Sequence, residues 1–373
     1  MTTGDHSLAA RLSRAARWPF RREQPLAPPR KALIMQPCCL GQVMLTTPLL
    51  AALSEAFPEA RFDWAISDWA LPAIGSNPRI TRTIRSGPGD LAQNSSEQNQ
   101  SLLETMRAEG YDTCFIPSRS SDAARLAQKA GIAQRVGLNG HDPAPGGGSE
   151  QTATLYLSLA AAVGVDEAIL QAAEMEFTPT DVDRTAVTRW LVEEFDWLGD
   201  VPLVVLHPGG GDNPAQTNHA KRWPTQRFAR LANHLTRVYG ARVIVVGTAE
   251  ERPLANQVVG MMSAAAVNRA GLMGLGQLGA LSELASLYVG NDAGSTYVAV
   301  ATGCPTLVIY GPNTPTLDVP ATARGRVQTL WQPYEGAFDW ANGVPVEQAV
   351  AAADELLAAH SATTGTPLEN TIT

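Results

Sequence analysis

The sequence predicts an α/β protein of two doubly wound, Rossmann-like domains that face a central cleft. Its 373 residues suit two domains of about 150–200 residues each. Short apolar runs are repeatedly followed by a loop and a helix, which is typical of a parallel sheet covered by helices on both faces. The same pattern starts again near residue 201, so the chain contains two such halves.

In the first half, short apolar strands alternate with helices. The predicted strands are 31–36, 61–66 and 111–116, and the predicted helices are 46–56 and 154–163. Two polar segments rich in turn-forming residues, 87–101 and 139–152, predict long loops, and long loops in compact domains are often functional.

The second half follows a linker predicted at 177–181. Its predicted strands are 201–206, 241–246, 287–292 and 306–311, and its predicted helices are 226–239, 298–302 and 346–360. These elements predict four regions: a flexible basic tail (1–30), an N-terminal domain (31–178), a C-terminal domain (179–335), and a terminal helix and tail packing back across the domains (336–373).

Composition and charge exclude several classes of protein. With 45% apolar and 17% charged residues the chain is globular, and its net charge of −8 would repel nucleic acid. Neither an apolar run of about 18 residues nor a secretory h-region is present, so a cytoplasmic protein is expected. The four cysteines (38, 39, 114 and 304) have no metal-site spacing. They predict a reducing compartment, with the adjacent pair reduced.

The N-terminal segment differs in charge from the rest of the chain. Residues 1–31 carry seven basic and two acidic side chains, a net charge of +5. Arg11, Arg14 and Arg17 share one helical face, which could lie at the inner surface of an anionic membrane. The alternative is a solvated, poorly ordered tail.

A glycine-rich loop in the second half could bind an anion. After the strand ending at Leu206 come His207-Pro-Gly-Gly-Gly and then Lys221-Arg222-Trp-Pro224. Glycines let backbone amides approach an anion closely, and Lys221 and Arg222 precede the positive end of a helix. The alternative is a glycine-rich turn followed by a solvated Lys-Arg pair.

A second loop, Gly290 to Tyr297, also joins a strand to a helix. Its Gly294, Ser295 and Thr296 could donate backbone and hydroxyl hydrogen bonds to a diphosphate. Asp292 is better suited to an N-cap, or to pairing with Lys221 or a sugar hydroxyl. Glu250 could bind a ribose diol, although it and Asp292 could equally be helix N-terminal acids.

Together these motifs resemble glycosyltransferase family 9, the ADP-heptose–lipopolysaccharide heptosyltransferase family. Six family motifs occur in order: His207-Pro-Gly, Lys221-Arg-Trp-Pro, Gly247-Thr-Ala-Glu250, Asn268-Arg-Ala-Gly271, Gly290-Asn-Asp-Ala-Gly-Ser-Thr-Tyr297 and Gly303 to Pro312. Cys39-Leu-Gly41-Gln-Val-Met-Leu-Thr-Thr-Pro48 and Ala56 to Trp64 resemble N-terminal family motifs. The resemblance covers about residues 31–335.

The resemblance implies a GT-B fold and a glycosyltransferase that moves a heptose or hexose from a nucleotide-diphospho-sugar with inversion. It implies no metal or other cofactor, a donor on the C-terminal domain and a saccharide or small-molecule acceptor on the N-terminal one. The implied donor-binding residues are Gly41, Thr217, Lys221, Arg222, Glu250, Met273, Asp292, Ala293, Gly294, Ser295, Thr296 and Tyr297. Lys221, Asp292 and the position of Gln42 are the implied catalytic positions. Asp181-Val-Asp183, the one Asp-x-Asp sequence, is expected to be a solvated turn rather than a metal site.

Two positions depart from the family pattern. The family's general base is a carboxylate where this chain has Gln42, and an amide cannot take up a proton near neutral pH. The family histidine is replaced by Tyr297, whose hydroxyl is expected to reach a phosphate instead.

The loss of the carboxylate leaves three interpretations open. Asp68 or His141, or less readily Asp122, serves as the base; the acceptor needs little base assistance; or the protein binds a sugar nucleotide without turning it over. Either a lipopolysaccharide core or a small natural product remains a possible acceptor, because segments 87–101 and 139–152 carry few basic side chains. A nicotinamide-dependent dehydrogenase is disfavoured, since no Gly-x-Gly-x-x-Gly follows the first strand.

Overall fold

A computed structural model describes residues 26–138, 152–315 and 326–364, which form two compact units. The first unit ends at Glu176 and the second begins at Phe177. Most of the basic tail, His141 and nearly all of segment 139–152 lie outside the described residues; Thr152, the last residue of that segment, begins a helix.

The first unit contains a parallel sheet of five strands in the order β3-β2-β1-β4-β5. The strands are β1 (Lys31–Met35), β2 (Arg61–Ile66), β3 (Arg82–Arg85), β4 (Thr113–Ile116) and β5 (Gln134–Gly137). The helices are α1 (Leu40–Ala56), α2 (Ser96–Glu109), α3 (Ser121–Lys129), α4 (Thr152–Ala161) and α5 (Glu167–Ala172). Strands β1, β2 and β4 confirm the three strands predicted from the sequence.

The prediction of one long loop over 87–101 is wrong in its second half, because α2 begins at Ser96. Ser95 caps this helix. Its Oγ accepts a hydrogen bond from the Gln98 amide at 3.2 Å, and the Gln98 side chain accepts one from the Ser95 amide at 2.8 Å. This reciprocal arrangement satisfies two amides at the helix start, and it lets a polar segment become helical.

Replacing Ser95 with alanine is expected to lower the free energy of unfolding of the first unit by about 1 kcal/mol. The cap hydroxyl is lost while the helix interior is unchanged. Urea denaturation measures the effect, and Ser101→Ala, an exposed position within the same helix, is the matched control. An equal loss in both variants would contradict the capping role.

The second unit contains a parallel sheet of six strands in the order β10-β9-β6-β11-β12-β13. These are β6 (Leu203–His207), β9 (Arg242–Val245), β10 (Ala266–Asn268), β11 (Leu287–Asn291), β12 (Thr306–Ile309) and β13 (Val327–Leu330), and a short antiparallel hairpin is formed by β7 (Asp212–Asn213) and β8 (Gln216–Thr217). The helices are α6 (Asp181–Glu193), α7 (Thr225–Tyr239), α8 (Arg252–Gly260), α9 (Leu275–Leu284), α10 (Gly294–Ala301) and α11 (Val346–Thr364).

The six-stranded sheet is covered on both faces. Along β6, Val204 and Leu206 belong to one apolar cluster, whereas Leu203 and Val205 belong to another. Side chains alternate between the faces of a strand, so both faces of β6 are buried, as expected for a parallel sheet. Helices α7 and α11 supply the first cluster, and α6 and α9 supply the second.

The segment predicted as a linker is packed. Phe177 is buried and lies against Gly279 of α9, where an added Cβ would overlap its ring. The expectation that Asp181-Val-Asp183 is a solvated turn is also wrong. These residues form the first turn of α6, and Asp183 exchanges hydrogen bonds with the N-cap residue Thr180 at 3.1 Å.

Helix α11 is longer than predicted, and the elements it packs against most closely belong to the second unit: α7, β12 and β13. Its Ala349, Ala353, Leu356 and Leu357 join the cluster on that face. None of the helices in the described residues combines the length and hydropathy needed to cross a bilayer.

Candidate functional site

The second unit gathers polar side chains at one edge of its sheet. Strand β6 lies between β9 and β11, and all three run parallel. Their carboxyl ends therefore meet at one edge, which is where open α/β sheets bind ligands. Strand β6 ends with His207 at this edge, and the loops after β9 and β11 begin with Val246 and Asp292.

Lys221 and Asp292 form an ion pair at this edge. Lys221 Nζ donates to Asp292 Oδ2 at 2.6 Å, and the two side chains are 14% and 9% exposed. Asp292 therefore pairs with Lys221, one of the roles considered from the sequence. It is not the N-cap of α10, which is Ala293. The pair leaves a lysine ammonium held in place beside the start of a helix.

Tyr297 does not occupy the place predicted for it. Its hydroxyl is buried and donates to Asp292 Oδ1 at 2.6 Å, with the Tyr310 hydroxyl 3.2 Å away. The expectation that the Tyr297 hydroxyl reaches a phosphate is therefore wrong. This hydroxyl instead orients the Asp292 carboxylate from the buried side of the loop. The reason is that Tyr297 begins the second turn of α10, which faces the core.

Thr296 is corrected in the same way. Its hydroxyl is fully buried and donates to the Asn291 carbonyl at 2.7 Å, and its amide donates to the Ala293 carbonyl at 3.1 Å. Gly294 and Ser295 form the first turn of α10, where amides have no partner within the helix. These two residues, rather than Thr296, can offer donors to an anion.

Three hydrogen-bonded side chains, Glu251, His207 and Ser295, connect the start of α8, the end of β6 and the first turn of α10. The sequence did not predict this series. His207 Nδ1 is 2.8 Å from Ser295 Oγ, and His207 Nε2 is 3.1 Å from Glu251 Oε2. His207 and Glu251 are buried, and Ser295 is half-buried. Glu250, the carboxylate singled out from the sequence, is exposed beside this series.

Glu251 holds the glycine-rich loop together as an ionised group. It accepts hydrogen bonds from the amides of Gly210 and of Thr248, the latter at 2.8 Å. Burial by itself would raise the pKa of Glu251, but the bonds from His207 and these amides outweigh it and hold the pKa well below its ordinary value of 4.5. The resulting stabilisation is present at neutral pH and is lost as the pH falls below about 4.5.

Arg222 also stabilises the glycine-rich loop. Its Nε donates to the Gly210 carbonyl at 2.8 Å, and its Nη2 donates to Asp212 at 2.7 Å. Hydrogen bonding to His219 is the main cause that lowers the pKa of Asp212, with Arg222 adding to it. The guanidinium therefore braces the loop. Thr217, in β8 of the same hairpin, is exposed.

The predicted base contact, Met273, is half-buried against the apolar cluster under β6 and β9. It follows Gly271, whose φ is +73° and whose amide donates to the Gly247 carbonyl at 2.9 Å. A Cβ at Gly271 would overlap Ala249, so glycine is needed for the two loops to approach each other.

The candidate residues of the first unit lie near the starts of helices or past strand ends. Gly41 and Gln42 are in the first turn of α1, and Gln42 Oε1 accepts from the Cys39 amide at 3.2 Å. Asp68, past the end of β2, is exposed and pairs with Arg85, while Asp122 pairs with Arg125 in α3.

The expectation that Cys38 and Cys39 are reduced is wrong in this structure, where a disulfide joins them across a cis peptide bond. The expectation rested on the awkward geometry of bridging adjacent residues, which the cis bond changes. Cys114 and Cys304 are free and buried, and burial raises the pKa of the Cys114 thiol to about 12. Within the described ranges, no three His, Cys, Asp or Glu side chains cluster as a metal site would need.

Comparison with known proteins decides the family. Residues 100–335, well over half of the chain, match the profile of Glycosyltransferase family 9 (heptosyltransferase). This chain belongs to glycosyltransferase family 9. It is accordingly a glycosyltransferase, and the family predicted from the motifs is confirmed.

Several relatives extend the match. Lipopolysaccharide heptosyltransferase 2 of Escherichia coli K12 is 25% identical over 320 residues, covering 80% of this chain and 88% of that protein. The family 9 glycosyltransferase structure from Veillonella parvula has a TM-score of 0.74 at 22% identity, covering 90% of this chain and 99% of that one.

The structure of the E. coli ADP-heptose lipopolysaccharide heptosyltransferase II has a TM-score of 0.67 at 21% identity, covering 88% of this chain and 98% of that one. These likenesses confirm the predicted GT-B fold class.

Proposed function

We propose that this family 9 glycosyltransferase moves a heptose from ADP-heptose to a hydroxyl of a lipopolysaccharide-core saccharide, with inversion and without a metal ion. The named relatives support heptose as the sugar and lipopolysaccharide as the acceptor class. The observation that carries the proposal is the Lys221–Asp292 pair at the edge where the glycine-rich loop and the start of α10 meet.

The proposed donor site uses backbone amides and one ammonium for the diphosphate. Amides in the first turn of a helix carry partial positive charge and favour anions. Lys221 adds a full charge that is already held in place, so it needs no reorganisation when negative charge develops on the departing diphosphate. Glu250 is exposed past the end of β9 and is proposed to bind the ribose; Met273 is proposed to cover the base.

The direct test is to supply ADP-heptose and a heptose-deficient core acceptor and to measure ADP release. We expect turnover that persists with EDTA present, and a product of opposite anomeric configuration by NMR. ADP binding without any release from ADP-heptose would contradict the transferase proposal. Loss of turnover with EDTA, restored by a divalent cation, would contradict the metal-free step.

The removal of the acceptor's proton cannot follow the family pattern in this chain. The Gln42 amide cannot accept the acceptor's proton, and its carbonyl oxygen already caps α1. We propose that the acceptor hydroxyl reacts with little base assistance, because the carboxylate of Asp68, a candidate from the sequence, is engaged by Arg85.

Replacing Gln42 with aspartate is expected to raise kcat by about 100-fold, since a positioned general base contributes about 10²–10⁴. An aspartate is also favourable in the first turn of a helix, so α1 should keep its stability. Gln42→Asn is the matched neutral control and should leave kcat near the wild-type value. An equal kcat in both variants would show that position 42 cannot supply the base.

A further inference from the structure

The chain Glu251–His207–Ser295 has a property that its hydrogen-bond geometry imposes. Glu251 is an ionised acceptor, so His207 Nε2 must carry a hydrogen to approach it at 3.1 Å. The protonation of the other ring nitrogen, Nδ1, then decides what the Ser295 hydroxyl 2.8 Å away can do.

The two states of His207 give Ser295 opposite roles. With neutral imidazole, Nδ1 is an acceptor, and the single hydroxyl hydrogen of Ser295 points to it. With imidazolium, Nδ1 donates to Ser295 Oγ, and the hydroxyl hydrogen is released to bond elsewhere. Only the second state lets Ser295 donate to an anion at the start of α10.

We propose that His207 is a positioning residue that takes up a proton when the donor's diphosphate binds and thereby turns the Ser295 hydroxyl toward that diphosphate. The inference rests on the proposed function, which places the diphosphate at the first turn of α10. His207 itself does not touch the ligand and acts through Ser295.

The surrounding charges favour this coupling. Glu251, from the start of α8, faces His207 directly, and the Arg222 guanidinium lies 3.9 Å from the far oxygen of Glu251 while it also pairs with Asp212. From β11, the buried Tyr288 stays neutral, because burial raises the pKa of its phenol far above the ordinary value. Asp292, at the end of β11, is already paired with Lys221.

An incoming diphosphate therefore adds negative charge on one side of the His207 imidazole, with the Glu251 carboxylate on the other. Both favour the imidazolium form, which is the form that a histidine can reach near neutral pH.

Calorimetry of ADP binding tests the proposal. Titrations at pH about 8, where free imidazole is mostly neutral, are run in buffers of different ionisation enthalpy, so that the observed heat reports protons taken up. We expect wild-type protein to take up protons as it binds ADP, and its ADP affinity to fall as the pH rises. ADP binding without proton uptake would overturn the inference and leave the proposed donor site standing, whereas absence of ADP binding would contradict the proposed function itself.

Three variants test whether His207 is the group that takes up the proton. His207→Gln removes the titrating group and should abolish the uptake. Ser295→Ala deletes the hydroxyl that His207 positions, so it should keep the uptake and weaken ADP binding about threefold to tenfold. His234→Gln is the matched control, because His234 also pairs with a carboxylate, Asp354 at 2.9 Å, between α7 and α11. Uptake that persists in His207→Gln or disappears in His234→Gln, or an unchanged ADP affinity in Ser295→Ala, would overturn the assignment.

Discussion

Replacing Lys221 with alanine is expected to lower the affinity for ADP by about 100-fold or more, and kcat/KM for ADP-heptose by a larger factor. Removing one partner of a largely buried, hydrogen-bonded charge pair costs about 2–5 kcal/mol, much of it from the charge left behind. Here the charge left behind is the Asp292 carboxylate, which is on a side chain only 9% exposed and would then face the proposed diphosphate unpaired.

A double variant separates the loss of the Lys221 charge from the repulsion of the diphosphate by the unpaired Asp292 carboxylate. In the double variant Lys221→Ala with Asp292→Asn, the stranded carboxylate is gone, so part of the lost ADP affinity should return. Lys129→Ala, an exposed lysine at the end of α3 in the first unit, is the control and should bind ADP as the wild type does. Unchanged ADP affinity in Lys221→Ala would contradict the donor site proposed here.

Replacing Gly209 with alanine is expected to lower ADP affinity about tenfold and the free energy of unfolding of the second unit by about 1–3 kcal/mol, the usual range for overpacking. A Cβ at Gly209 would overlap the carboxylate of Glu251. Glu251 would have to move, and its bonds to His207 and to the Gly210 and Thr248 amides would be lost with it.

Gly260→Ala is the matched control for this substitution. Gly260 ends α8, and an added Cβ would meet no atom within 4 Å. It should leave ADP affinity unchanged and should raise stability slightly, because alanine favours a helix more than glycine does. Isothermal calorimetry and urea denaturation on both variants measure the two effects. A Gly209→Ala protein that matched the control would show that the Glu251 network is dispensable.

The sequence predicted the strands well, because a buried parallel strand is a short apolar run that ends at a turn. Strands β1, β6 and β11 coincide with such runs to within a few residues. Helix starts were harder to place. The start of α2 lies in a polar segment and depends on the Ser95 cap, and the first turn of α10 contains Gly294, which read as a loop.

For the candidate site, the sequence identified Lys221 and Asp292 but gave no sign that Glu251 is the buried carboxylate in the centre of the glycine-rich loop. Glu250 and Glu251 are adjacent, and the path of the backbone at the start of α8 exposes the first and buries the second. Nothing local decides that, because the partners of Glu251 are His207 and Gly210, which lie 44 and 41 positions earlier in the chain. The buried hydroxyls of Thr296 and Tyr297 were misassigned for the same reason.

What the sequence determined alone was the family, the two α/β halves and the motifs at the ends of the strands, since these depend on local apolar runs, glycines and motif spacing. What only the tertiary structure decided was which polar groups meet. Strand β6 lies between β9 and β11, and this strand order brings His207, Glu251 and Ser295 together from places far apart in the chain. Burial at that edge then requires each polar group to find a partner, and the available partners fix which side chains brace the site and which can face a ligand.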